Sequence, residues 1–147
     1  MQHDRGLRSI PLVFAMLLMV GCHVELVSDY DEDLAKAVIT TQKGIDSFLQ
    51  SQRNPTSGTD ITYDGSKGTY NKIQVDLNTL VVLARSHPNN DPTINQVNTV
   101  IESVHGLEDV HRQRGRLSPD YVDQKQKDLM MMFSSIIRTE NTKKAAR

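Results

Sequence analysis

"YNKIQVDLNTLVVLARSHPNNDPTINQVNTVIESVHGLEDVH" fills residues 70–111, and its reading decides the fold. In its first half, Tyr70, Ile73, Leu77, Leu80, Ala84 and His87 recur at alternating steps of three and four. At 3.6 residues per turn that spacing gathers them into one stripe, so a helix is expected over 68–87. Val81 and Leu83 widen the stripe enough to meet more than one neighbour. The chain then breaks where Pro88 and Pro92 bracket two asparagines, and Asp91 is placed to cap a new helix with Pro92 as its first residue. Ile94, Val97, Val100, Ile101, Val104 and Leu107 give that helix, expected over 92–113, its own apolar face. So short a turn makes the two helices antiparallel neighbours.

Working outward, Ser28 and Asp29 supply capping side chains, and Asp31, Glu32 and Asp33 supply the negative charge that suits a helix N-terminus. A helix over 30–52 follows, striped by Leu34, Val38, Ile45 and Phe48, with Thr41 and Gln52 in the same register and Leu49 alongside. The acidic cluster lacks the central glycine and distal glutamate of a calcium-binding hand, so it reads as a helix start. At the other side, "RQRGR" (112–116) ends the third helix with basic residues at the negative end of the dipole and Gly115 as a left-handed stop. Ser118-Pro119-Asp120 opens a last helix over 119–142, with Val122, Leu129, Met132, Phe133, Ile136 and Ile137 on its apolar side. The "LMMMF" run (129–133) suits either irregular core gaps or an adaptable partner surface. Lys143, Lys144 and Arg147 are expected to trail into solvent. The expected fold is all-α, an up-and-down bundle of about four amphipathic helices forming one domain over 29–147.

Residues 53–69, "RNPTSGTDITYDGSKGT", are rich in turn formers and read as a long loop, the first place to look for a binding surface. Gly65-Ser66-Lys67-Gly68 invites comparison with a phosphate loop. The spacing of two glycines followed by Lys and Ser or Thr is absent, however, and no apolar strand leads in.

Two Glu-x-x-His matches, Glu102 to His105 and Glu108 to His111, raise the question of a carboxylate-bridged metal bundle, but both lie on one helix and such a site needs the motif on two. At 100° per residue Glu108 and His111 turn toward the apolar stripe, while Glu102 and His105 turn away. His87 falls at the opposite end of an antiparallel bundle from His111. A polar pair of Glu108 and His111 near Tyr70 or Tyr121 stays open. No Gly-x-Ser-x-Gly elbow and no His-Glu-x-x-His helix occurs, so neither a catalytic residue, a metal site nor a cofactor is assigned and the chain is not expected to be an enzyme.

The first 22 residues read differently. Arg5 and Arg8 form a basic start, an apolar stretch runs from Ile10 to Val20, and Gly21 precedes Cys22, the only cysteine of 147 residues. This is the layout of an export signal, too short to cross a bilayer, which takes ~20 residues of helix. A lone cysteine makes no intrachain bridge, so disulfide stapling does not explain it.

Met19-Val20-Gly21-Cys22 resembles the lipobox of bacterial lipoproteins, an aliphatic residue and two small ones before the cysteine that is acylated; here methionine stands where leucine is usual. The resemblance implies removal of 1–21, lipidation of Cys22 with palmitate-type chains, and a short tether over 22–28. His23, in place of an aspartate after the cysteine, implies the outer membrane facing the periplasm. An ordinary secretory cut after Cys22 is the alternative. The central section from Tyr70 to His111, with "VDLNTLVVLARSHPNNDPT" (75–93) followed by an amphipathic helix, also resembles helical proteobacterial lipoproteins of uncharacterised role.

Without 1–21 the chain carries 15 basic and 17 acidic residues, no global basic field for nucleic acid. Tryptophan is absent and aromatic residues make up 5 %, which argues against stacking platforms for bases or sugars. The expectation is therefore a membrane-anchored interaction or scaffold module with an envelope protein as partner. The alternative is a periplasmic binding module or inhibitor acting through 53–69.

Overall fold

The computed structural model describes residues 28–145, so the expected signal segment 1–21, Cys22, nearly all of the expected tether and Arg147 lie outside the described residues. Four helices make an all-α, up-and-down bundle: α1 (Glu32–Arg53), α2 (Tyr63–Arg85), α3 (Asp91–Arg114) and α4 (Pro119–Ala145). Contacts run from α1 to α2, α2 to α3, α3 to α4 and back from α4 to α1. The bundle is thus a closed ring in which α1 and α3, and likewise α2 and α4, are diagonal.

Each helix buries one seam at steps of three and four. Leu34, Val38, Thr41, Ile45, Phe48 and Gln52 form it on α1, and Ser66, Tyr70, Ile73, Leu77, Leu80 and Ala84 on α2. Thr93, Val97, Val100, Val104, Leu107 and His111 form it on α3. On α4 it runs from Val122 through Leu129, Phe133 and Ile136 to Glu140 and Lys143. A repeat averaging 3.5 residues keeps each seam facing its neighbours along the bundle. Each leucine buried in these seams contributes ~1.5–3 kcal/mol. The apolar layers fill the middle, while Gln52, Ser66 and His111 close one end and Thr93, Glu140 and Lys143 the other.

Several expectations are corrected. The loop 53–69 shrinks to 54–62, because α2 starts at Tyr63 instead of 68: Thr62 takes the N-cap position and its Oγ1 accepts from the Gly65 amide at 3.2 Å. Asp60 in turn accepts from the Thr62 amide at 2.9 Å and from its hydroxyl at 2.6 Å, a local network that glycine-rich composition conceals. The α1 cap is Asp31, whose Oδ1 accepts from Asp33 and Leu34 amides at 2.8 and 3.1 Å. At α3 the cap position belongs to Asn90 and not to Asp91, and its side chain turns inward, giving Nδ2 to the Ala84 carbonyl at 2.7 Å. Met130 and Met131 are exposed and fill no core gap, whereas Met132 packs half-buried against the core beside Leu129 and Phe133. Lys143 does not trail into solvent, for α4 continues to Ala145 and carries it inside. Gly115 does act as the left-handed stop, at φ 73°.

Candidate functional site

Polar chemistry concentrates at the two ends of the bundle. At the end formed by the α1–α2 loop and the α3–α4 turn, His111 has 0 % exposure. Its Nε2 lies 3.1 Å from the Ile61 carbonyl and its Nδ1 3.0 Å from the Tyr70 hydroxyl. A carbonyl only accepts, so Nε2 carries the proton and Tyr70 donates to Nδ1. Burial, opposed by the bond to Ile61, holds the imidazole below its ordinary range. Burial likewise pushes the Tyr70 phenol well up, and the negative charge of Glu108 adds to it. Both groups are neutral at neutral pH.

Beside this pair, Arg112 Nε donates to the Tyr63 oxygen at 3.2 Å, and Tyr63 donates to Glu108 Oε1 at 2.9 Å. The Arg112 guanidinium also sits 5.5 Å from the centre of the Tyr63 ring, with Lys67 Nζ at 5.4 Å. Phe48 meets Tyr70 edge-on at 5.0 Å between ring centres, and Tyr63 meets His111 the same way at 5.8 Å. The Tyr63 amide donates to the Gly115 carbonyl at 2.9 Å, which pins the start of α2 to the end of α3. Glu108 and His111 therefore come to the same end but take different tyrosines, Tyr63 and Tyr70. Tyr121, the other partner weighed from sequence, has its ring 5.9 Å from the Arg114 guanidinium. With both ring nitrogens committed and no exposed surface, His111 holds the 54–62 loop against α3. Glu102 and His105 face outward as expected, His105 bonding Gln74 Oε1 at 2.7 Å. Among the described residues no group of three or more His, Cys, Asp or Glu side chains is arranged to hold a metal ion.

The opposite end holds a cluster that periodicity alone did not bring forward. Lys143 Nζ donates to Asn90 Oδ1 and Glu140 Oε1, both at 2.6 Å, and to Thr93 Oγ1 at 3.0 Å. Thr93 donates to Glu140 Oε1 at 2.9 Å, and Ser28 Oγ donates to Asn90 Oδ1 at 2.9 Å. The ion pair is almost fully withdrawn, with side-chain exposures of 3 % for Lys143 and 1 % for Glu140. Glu140 Oε2 is buried without a hydrogen-bond partner among the described residues. Nearby, His87 Nε2 meets Asp31 Oδ2 at 2.9 Å, confirming that His87 and His111 mark opposite ends. The signal that locates this cluster is the α4 seam itself: the steps from Leu129 to Phe133 to Ile136 continue unbroken through Glu140 to Lys143.

No described helix is long and apolar enough to cross a membrane. Compared with family models, curated proteins and solved structures, the chain matches none.

Proposed function

We propose that this chain is an envelope lipoprotein, held on the outer membrane through acylated Cys22 and presenting its helical bundle to the periplasm as an interaction or scaffold module. One observation carries the reading: the sole cysteine stands directly after a basic start, an apolar run and the small residues Val20 and Gly21. Each acyl methylene buried in a bilayer contributes ~0.8 kcal/mol, so several chains on one cysteine hold a small domain stably at a surface. The reading assigns no reaction, metal or cofactor to the bundle.

Intact mass of the protein purified from a Gram-negative host, beside Cys22→Ser, tests it. A chain lacking 1–21 and heavier by acyl groups is expected, with the addition absent from the variant. An unmodified chain starting at His23 sinks the anchor. The second reading, binding through the loop between α1 and α2, now concerns residues 54–62. Its supporting observation is that 53–60 are all exposed while Ile61, at their end, is fixed to His111. Shortening 54–60 without loss of fold or partner capture would count against it.

A further inference from the structure

We propose that the bundle stands end-on at the bilayer, with the turn between α2 and α3 toward the lipid and the Tyr63–His111 end pointing away; this rests on the lipoprotein reading and specifies which surface that module presents. The first observation is where the chain enters. Ser28 is buried, and its hydroxyl bonds to Asn90 Oδ1, which Lys143 of the last turn of α4 also holds. The described chain therefore enters the bundle at the end containing the α2–α3 turn.

Six residue steps separate Cys22 from Ser28. At no more than ~3.3–3.6 Å per residue, they span at most about 22 Å. Acyl chains fix Cys22 at the surface, so the Ser28 end cannot stray beyond that reach. The far end lies a helix length further, ~33 Å for the 22 residues of α1 at a rise of ~1.5 Å each.

The second observation concerns the sides. Exposed large apolar residues are divided among different helices: Ile39 on α1, Val75 and Val82 on α2, Met130 and Met131 on α4. Because α2 and α4 are diagonal in the ring, no orientation on the flank brings the valines and the methionines to lipid together. The exposed apolar residues therefore form no single flank that would hold the bundle on its side, and each side offers at most one pair. The third observation is chemical. At the Ser28 end, Lys144 Nζ sits 5.2 Å from the centre of the Tyr30 ring, and tyrosine beside lysine is the pairing that settles at headgroup level, ring toward apolar depth and ammonium toward water.

The consequence is that the surface offered to an envelope partner is the distal one: the 54–62 loop together with Tyr63, Lys67, Arg112 and Tyr121.

The experiment uses the full chain, acylated in its host and reconstituted into vesicles of phosphatidylethanolamine and phosphatidylglycerol carrying nitroxide-labelled acyl chains. With the native cysteine blocked by acylation, a fluorophore is attached singly at Pro88→Cys, Val75→Cys, Met131→Cys and Ser57→Cys, all exposed positions. Ser86→Cys provides a second reporter at the turn, and a helical circular dichroism spectrum checks each variant. Quenching is expected to be several-fold stronger at 88 and 86 than at 75 or 131, and at background at 57. Equal or stronger quenching at 75 or 131 overturns the end-on orientation, as does equal quenching everywhere, while acylation in the intact mass leaves the anchor standing. An unacylated mass overturns the anchor and the orientation with it.

Discussion

Tyr70 and His111 meet 3.0 Å apart across α2 and α3, the phenol giving its proton to Nδ1 while Nε2 reaches back to the Ile61 carbonyl. One imidazole thereby joins two helices to the end of the loop that precedes one of them. The bond from Tyr70 needs the Nδ1 lone pair and so a neutral ring, whereas Nε2 can donate to Ile61 in either state.

That arrangement makes the fold sensitive to mild acid. The folded imidazole sits below its ordinary value, so as pH falls the unfolded chain binds the proton first. The contribution of His111 is complete above about pH 6.5, the usual imidazole value, and drains away as pH drops toward the lower folded value. The melting temperature is expected to fall between about pH 7.5 and about pH 5, and His111→Gln, though less stable at neutral pH, is expected to flatten that decline. An identical slope in the variant would exclude His111 as its source.

Lys143 and Glu140 should behave as a unit. Lys143→Met removes the cation and leaves the Glu140 carboxylate buried with only Thr93 of its donors, a loss of about 3–5 kcal/mol for a broken buried pair. Replacing both, Glu140→Leu with Lys143→Met, is expected to recover most of that loss, since the desolvation of two charges disappears along with their attraction. Urea unfolding of the single and double variants measures this. A double variant no more stable than Lys143→Met alone would mean that the hydrogen bonds, and not the stranded charge, carry the effect.

Two glycines of α2 should respond oppositely to alanine. A Cβ at Gly65 would land on the Asp60 carboxyl group and displace it from Thr62, fraying the N-terminal turn. At Gly68 a Cβ meets nothing within 4 Å. Gly68→Ala is therefore expected to stabilise by ~0.5–1 kcal/mol through helix propensity, while Gly65→Ala gains less or loses outright. Thermal melts that rank Gly65→Ala above Gly68→Ala would contradict the packing around Asp60.

Asp31 both caps α1 and faces His87. Burial raises its pKa, but the Leu34 and Asp33 amides and His87 outweigh that and hold the carboxyl below its usual range. The unfolded chain again protonates first, so its contribution is present above about pH 4 and is lost as pH falls through the lower folded value. Asp31→Ala is expected to cost ~1–2 kcal/mol at neutral pH and to weaken the acid transition below about pH 4. Asp31→Asn, which keeps the cap but not the charge, separates the two roles.

The helix centres were legible because apolar residues carry the period that the bundle uses, as in Leu77, Leu80 and Ala84 or Val97, Val100 and Val104. The ends were harder, because there the same period is written in polar residues. Gln52 fits the α1 stripe by spacing, and the period on α4 passes through Glu140 and Lys143, whose charges suit water unless a partner such as Asn90, 53 residues from Lys143, is identified. The start of α2 was hidden differently. Gly65 and Gly68 discount helix by propensity, and only the Asp60 to Thr62 network, seen in three dimensions, recovers it. His111 was recognised as inward-facing, but Tyr63 was not connected with Glu108 because it fell within the expected loop.

The single oxygen of Asn90 that receives both Ser28 and Lys143 also brings the two ends of the described chain side by side. A few added residues joining Ala145 to Ser28, with new termini opened among 54–60, would give a circular permutant in which all four helix pairings survive. In that rearranged chain α4 and α1 become a local hairpin, and α1 with α2 becomes the distant pair that must close across the whole sequence. The order of helices along the polypeptide would then govern how quickly the ring closes, while the seams themselves govern what ring is made.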